Sequence, residues 1–175
     1  MIKIVCIQTN GGPGALVTWW QTLLRMKYPK TNHTGIVVEI GETLFIAEMT
    51  ASGNSFKPIT QYKDCYMEVL KVCADEKKML ACLSDVQSTH IAYGFIDLAK
   101  IGISMTLRRF GFFKYVKEFS DSSIDIVCSN FPRRLLACAG YNVDKIPPLL
   151  SPGELSEILG VERAFVFKEK NDLMG

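Results

Sequence analysis

Two histidines and six cysteines set the limits of the chemistry open to this chain of 175 residues. Imidazole is the simplest general base near neutral pH, so the search for a base begins with His33 and His90. His90 closes the polar run Gln87-Ser88-Thr89-His90 behind an expected helix and reads as an exposed turn residue. His33 stands just ahead of Gly35-Ile36-Val37-Val38, where the end of a strand can hold a ring rigidly. Taken alone it fits a structural histidine equally well. Glu48 follows His33 by 15 residues (48 − 33). A hairpin turning at Gly41-Glu42 brings Glu48 back to the level of His33. A carboxylate there accepts the second imidazole N–H, fixes the tautomer and stabilises the imidazolium. The plainer alternative is an exposed carboxylate on a sheet edge.

Cys128 supplies the nucleophile that such a pair would need. It falls where the strand-like Ile124-Asp125-Ile126-Val127 meets a helix expected over about Cys128 to Ala139, closed by Gly140. A thiol at a helix N-terminus feels the positive end of the macrodipole, which favours thiolate. First-turn N–H groups are also free to stabilise an oxyanion. Against this, Cys128, Phe131, Leu135 and Cys138 share one helical face, so a core thiol fits the same spacing. The cysteines at 6, 65, 73, 82 and 138 sit within strand- or helix-like runs and read as core thiols. There is no C-x-x-C, no histidine at metal-ligand spacing from a cysteine and no sign of a disulfide framework. Free thiols in a reducing compartment, with neither metal nor organic cofactor, are therefore expected.

Other features carry less. Gly11-Gly12-Pro13-Gly14 lacks the Lys-Ser/Thr of a phosphate loop and reads as a turn. Trp19-Trp20 could line a pocket, with core packing as the default. Phe110-Gly111-Phe112-Phe113, beside Arg108-Arg109 and Lys114, reads as core with a basic rim, and membrane-surface contact is the alternative.

The elements that must hold these residues are legible as an alternation of strands and helices. Strands are expected over Ile2–Ile7, Gly35–Ile40, Thr43–Glu48, Ser55–Thr60, Tyr66–Val72 and Ala164–Phe167. A helix is expected over Ala15–Met26, and another after Asp75 with Met79, Leu80, Leu83 and Val86 on one face. Ile91–Ile103 reads as a buried helix, and Thr106–Phe119 as helical in part. Ser151-Pro152-Gly153-Glu154 has the form of a capping box that opens a helix to Leu159. The length suits one α+β domain spanning 1–175, and 48% hydrophobic residues exclude a disordered chain. Twenty basic against 18 acidic residues give no electrostatic footprint for nucleic acid. Ile4–Leu24 carries no charge, but Asn10–Gly14 interrupts it well short of the ~20 apolar residues that span a bilayer. No signal peptide is evident either, so a cytoplasmic chain is expected where it is made.

Three short segments together resemble the circularly permuted papain-like cysteine hydrolases of the NlpC superfamily, in the branch with the YiiX/YaeF-type and lecithin:retinol acyltransferase-like proteins. They are His33-Thr34-Gly35-Ile36-Val37-Val38, Phe45-Ile46-Ala47-Glu48 and Val127-Cys128-Ser129. Ala92-Tyr93-Gly94-Phe95 resembles that branch's tyrosine segment, and Ser151-Pro152-Gly153-Glu154-Leu155 its Ser-Pro-x-x-Leu element. The likeness covers roughly residues 1–160. Asn130-Phe131-Pro132 departs from the Glu-Leu that many members carry after the cysteine. The resemblance implies an antiparallel sheet or small barrel packed against the helix that carries the cysteine. It also implies a Cys128–His33–Glu48 triad, with Tyr93 lining the substrate site. Its substrates would be peptides, isopeptides or peptidoglycan stem peptides, or lipid acyl groups in a hydrolase or acyltransferase. A non-catalytic binding module on the same fold is the remaining expectation.

Overall fold

A computed structural model describes residues 2–10, 13–50, 53–88, 95–112 and 128–174. Tyr93, His90, the expected strand over 124–127 and the expected helical residues 113–119 lie outside them. The fold is α+β. In chain order the elements are β1 (Ile2–Ile7), α1 (Pro13–Leu23), β2 (His33–Ile40), β3 (Thr43–Thr50), β4 (Gly53–Pro58) and a 3₁₀ turn (Ile59–Tyr62). They continue with β5 (Tyr66–Leu70), α2 (Glu76–Ser88), α3 (Phe95–Arg109), α4 (Asn130–Cys138), α5 (Pro152–Leu159), β6 (Val161–Val166) and α6 (Asn171–Met174). The strands form one open antiparallel sheet of six in the order β4-β3-β2-β1-β5-β6.

β1 lies inside the sheet, between β2 and β5, and both of its faces are covered. This is why Ile-Val-Cys-Ile can run without a polar residue. On one face Ile4, Cys6, Ile36, Val38 and Met49 pack against α2, α4 and α5. On the other, Val5, Ile7, Val37, Ile46 and Met67 meet Ile59 and Tyr62 of the 3₁₀ turn, and Phe167 and Leu173 near the C-terminus. The strict alternation between two packed faces is the period-two signature of a strand. Gly41, at φ 63°, makes the tight turn between β2 and β3.

α4 inserts Phe131, Leu135 and Leu136 into the first face with no residual exposure. Removing each leucine from water contributes roughly 2 kcal/mol. α5 opens on the expected capping box: the Glu154 N–H donates to Ser151 Oγ at 3.2 Å, and the Ser151 N–H donates to Glu154 Oε2 at 2.8 Å. A buried polar seam ties α1, the segment before β2 and α5 together. Gln21 donates to the Thr31 carbonyl at 2.6 Å and accepts from the Gly153 N–H at 2.8 Å. Asn32 accepts from the Thr9 N–H at 2.9 Å and donates to Thr18 Oγ1 at 3.2 Å.

Several expectations need correcting. α1 ends at Leu23 rather than Met26, because Arg25 turns the chain at φ 52°. α3 joins the two expected helical segments into one helix from Phe95 to Arg109. β6 begins at Val161; Glu162 and Arg163 suit an edge strand and obscured its start. α4 begins at Asn130, so Cys128 lies in the turn leading into it. Trp19, Phe110 and Phe112 are exposed rather than core residues. Finally, Cys82 of α2 and Cys138 of α4 form a disulfide, with Cα atoms 5.9 Å apart. Two residues 56 positions apart carry no local sign of being neighbours, so all six had been taken as thiols. The reducing compartment inferred from unpaired thiols thereby loses its premise.

Candidate active site

The site is built where β2 begins. Residues 33, 35 and 37 of β2 share a face, and the register sets Gly35 directly opposite Glu48 of β3. His33 is then the diagonal neighbour of Glu48, within side-chain reach. Gly35 keeps that diagonal open. A Cβ there would meet Ile46 Cγ2 at 2.4 Å and the Ala47 carbonyl at 3.2 Å. The absence of a side chain thus lets the hairpin close and bring acid and ring together.

His33 Nε2 donates to Glu48 Oε2 at 2.5 Å. The same oxygen accepts the Tyr62 hydroxyl at 2.5 Å, from the 3₁₀ turn. The other oxygen accepts Ser55 Oγ at 3.1 Å and Lys57 Nζ at 2.5 Å, both from β4. Glu48 is 1% exposed. Burial alone would raise its carboxyl, but bonds from His33, Lys57 and Tyr62 overcome this and hold it at about 2. It is therefore a fixed anion. Burial drives the Tyr62 hydroxyl the other way, and its bond to Glu48 adds to the rise, so it remains a donor.

Cys128 reaches the same ring. The His33 imidazole hydrogen-bonds the Cys128 thiol, and with Nε2 committed to Glu48, Nδ1 is the nitrogen left for sulfur. Burial opposes charge on both partners. For His33, the bonds to Cys128 and Glu48 overcome burial and raise it to about 9. For Cys128, the imidazole and then the Thr34 N–H and hydroxyl overcome burial and lower it. Both shifts favour a thiolate–imidazolium pair over the neutral one, with the Glu48 carboxylate behind it. Thr34 Oγ1 also donates to the Cys128 carbonyl at 2.5 Å, which pins the turn before α4 to β2. The Ser129 hydroxyl donates to the Leu150 carbonyl and anchors the next residue from the other side. Cys128 is 4% exposed and the His33 side chain 16%, so the ring is the part of the pair nearer to solvent.

The structure brings together Cys128, His33 and Glu48 of the residues singled out from sequence. Tyr93 lies outside the described residues. Sequence reasoning missed Tyr62, Lys57, Ser55 and Thr34. Ser55 had a legible signal, because a second hairpin continuing the β2–β3 meander sets it opposite Glu48, with Lys57 two residues on. Tyr62 had none, since it arrives from a 3₁₀ turn beyond the strand. Among the described residues no group of three or more His, Cys, Asp or Glu side chains converges as metal ligands would. Also among them, no helix is long and apolar enough to cross a membrane. No family model and no curated protein matches the chain.

Proposed function

We propose that this protein is a cysteine-dependent hydrolase that cleaves an amide through a thioacyl-enzyme, on a permuted papain-like fold of the NlpC type. One observation carries this: a single imidazole bridges a thiol whose ionisation it promotes and a buried carboxylate held ionised by three further donors. A purely structural cysteine needs no such partner.

In the first half-reaction the Cys128 thiolate attacks the carbonyl carbon and a C–S bond forms. The carbonyl electrons move to oxygen, near the unpaired N–H groups at the start of α4. As the oxyanion collapses, the C–N bond breaks and the His33 imidazolium gives its proton to the leaving amine. Water then attacks the thioester carbon while neutral His33 takes its proton. The C–S bond breaks, acid is released, and the thiolate–imidazolium pair returns. Glu48 keeps its charge throughout and stabilises the imidazolium. The histidine-before-cysteine chain order supports the permuted form of the fold.

A limiting dose of iodoacetamide near pH 6, read by peptide mass spectrometry, tests the pair. Cys128 should be modified ahead of Cys65 and Cys73, the more accessible free thiols, and His33→Ala should remove that preference. Peptide or acyl-ester turnover should fall by about 10⁴ or more in Cys128→Ala. Full turnover in that variant, or equal labelling of the three thiols, would sink the proposal.

A further inference from the structure

α1 and α3 form a helix pair on the outside of the molecule. Trp20 packs over Gly102, whose added Cβ would meet the indole at 3.1 Å, and its Nε1 donates to Thr106 Oγ1 at 3.0 Å. Further on, Leu24 and Met26 share a cleft with Met105, Arg108 and Arg109, so the C-terminal ends of the two helices lie together. The residues that make this contact leave a second apolar set facing out. On α1, Leu16, Trp19 and Leu23 recur at i, i+3 and i+7, and Trp19 and Leu23 are 56% and 60% exposed. On α3 and just beyond, Ile103 and Phe110 are exposed, Phe110 by 68%. A helix whose outer stripe is as apolar as its inner one has an unmet partner.

Charge identifies that partner. Residues 13–30 contain no aspartate or glutamate, and neither do residues 98–112. Arg25, Lys27 and Arg109 are exposed around the joined C-terminal ends, against one exposed acid, Glu157 of α5, which accepts the Lys27 backbone N–H at 2.5 Å. Arg108 is spent inward on Glu154, at 2.7 Å from both oxygens. Neither helix carries an acidic residue on these stretches to meet these cations across a second copy of this chain. An anionic leaflet would neutralise them and accept the aromatic side chains at headgroup depth.

We propose that the outer face of α1 and α3 is a docking surface for an anionic phospholipid bilayer. Trp19, Leu23 and Phe110 insert at the interface, and Arg25, Lys27 and Arg109 pair with lipid phosphates and carboxylates. The helices lie in the interfacial plane rather than across it, in keeping with their length. α1 is also bonded to Asn32, next to His33, so docking holds the start of β2 near the bilayer. The surface stands independently of any chemistry at Cys128.

Sedimentation of the full chain with phosphatidylcholine vesicles, and with mixed phosphatidylcholine–phosphatidylserine vesicles, tests this, with Trp emission read in parallel. Binding to the mixed vesicles is expected, with a blue shift that Trp19→Leu abolishes and a strong loss in added salt. Leu23→Glu and Phe110→Glu should each weaken binding by at least tenfold, with unchanged circular dichroism. Arg25→Gln and Arg109→Gln, exposed and harmless to folding, should each weaken it about fivefold. Three results overturn the proposal: no binding to the mixed vesicles, equal binding to phosphatidylcholine alone, or a stable dimer that Leu23→Glu dissociates.

Discussion

Cys6 and Cys128 are both buried, and burial decides the ionisation of only one of them. The Cys6 thiol is pushed up by burial, against a bond to Ser156, with Glu68 and Cys128 as like charges. It donates to the Pro152 carbonyl at 3.4 Å and stays neutral. Cys128 has the same desolvation but an imidazole in contact, and its pKa falls. The pair should remain charged until pH rises through the His33 value of about 9. Glu48→Gln removes the anion that helps hold His33 up, so the alkaline limb of inactivation by iodoacetate, an anion drawn in by the imidazolium, should move down toward 6.5, the ordinary histidine value. Lys57→Gln should move it up by a smaller amount. Lys57 is a cation drawing on the same carboxylate, and partial exposure of its side chain screens the effect. Shifts of the same sign in the two variants would contradict this account of Glu48. The triad side chains were legible because each stands beside a distinct local signal: a strand start, a hairpin return and a helix start. Tyr62 bears on the same carboxylate without any such signal.

The β2–β3 hairpin does the positioning, and Gly35 is its narrowest point. Gly35→Ala should cost about 1–3 kcal/mol, because the new methyl must displace Ile46 from a close-packed face. It should also lower the reactivity of Cys128 by more than Val37→Ala, which opens a cavity in the same face without touching the His33–Glu48 diagonal. Thermal unfolding and the iodoacetamide rate separate the two effects. Equal reactivity in the two variants would mean that the hairpin gap does not set the ring. This hairpin and the capped α5 were readable because their devices are local: a Gly-containing turn between alternating runs, and Ser-Pro-x-Glu. α3 was read as two segments, Ile91–Ile103 and part of Thr106–Phe119, and its single run to Arg109 is held at the end by Arg108 folding back onto Glu154. Trp19 was assigned to the core because apolar spacing identifies a helix but does not say which stripe is covered.

Across the fold entire, the α+β class followed from the run of alternating strands and later helices. The strand order did not follow, because it depends on β1 pairing with both β2 and β5, contacts that no local pattern encodes. The Cys82–Cys138 bond is the same kind of long-range fact, joining α2 to α4 across 56 residues. Closing a loop of that size stabilises by about 4 kcal/mol in the chain-entropy account. Cys138→Ser should then lower Tm by about 10 °C. Reductant should lower Tm of the parent protein similarly and leave that of the variant unmoved; no change in either would mean that the two sulfurs are not joined.

The central place of β1 and the lateness of α4 also set a schedule. His33, Glu48, Lys57 and Tyr62 all belong to the first 62 residues, and β1 to β4 form a continuous run of neighbours in the sheet. Cys128 follows 66 residues after Tyr62 (128 − 62). At roughly 5–20 residues per second, a growing chain spends several seconds with its ring and carboxylate already made and Cys128 not yet added. The Cys128 sulfur meets the ring only when the turn before α4 docks on β2, in a sheet whose first five strands are already made, so the site closes late in synthesis.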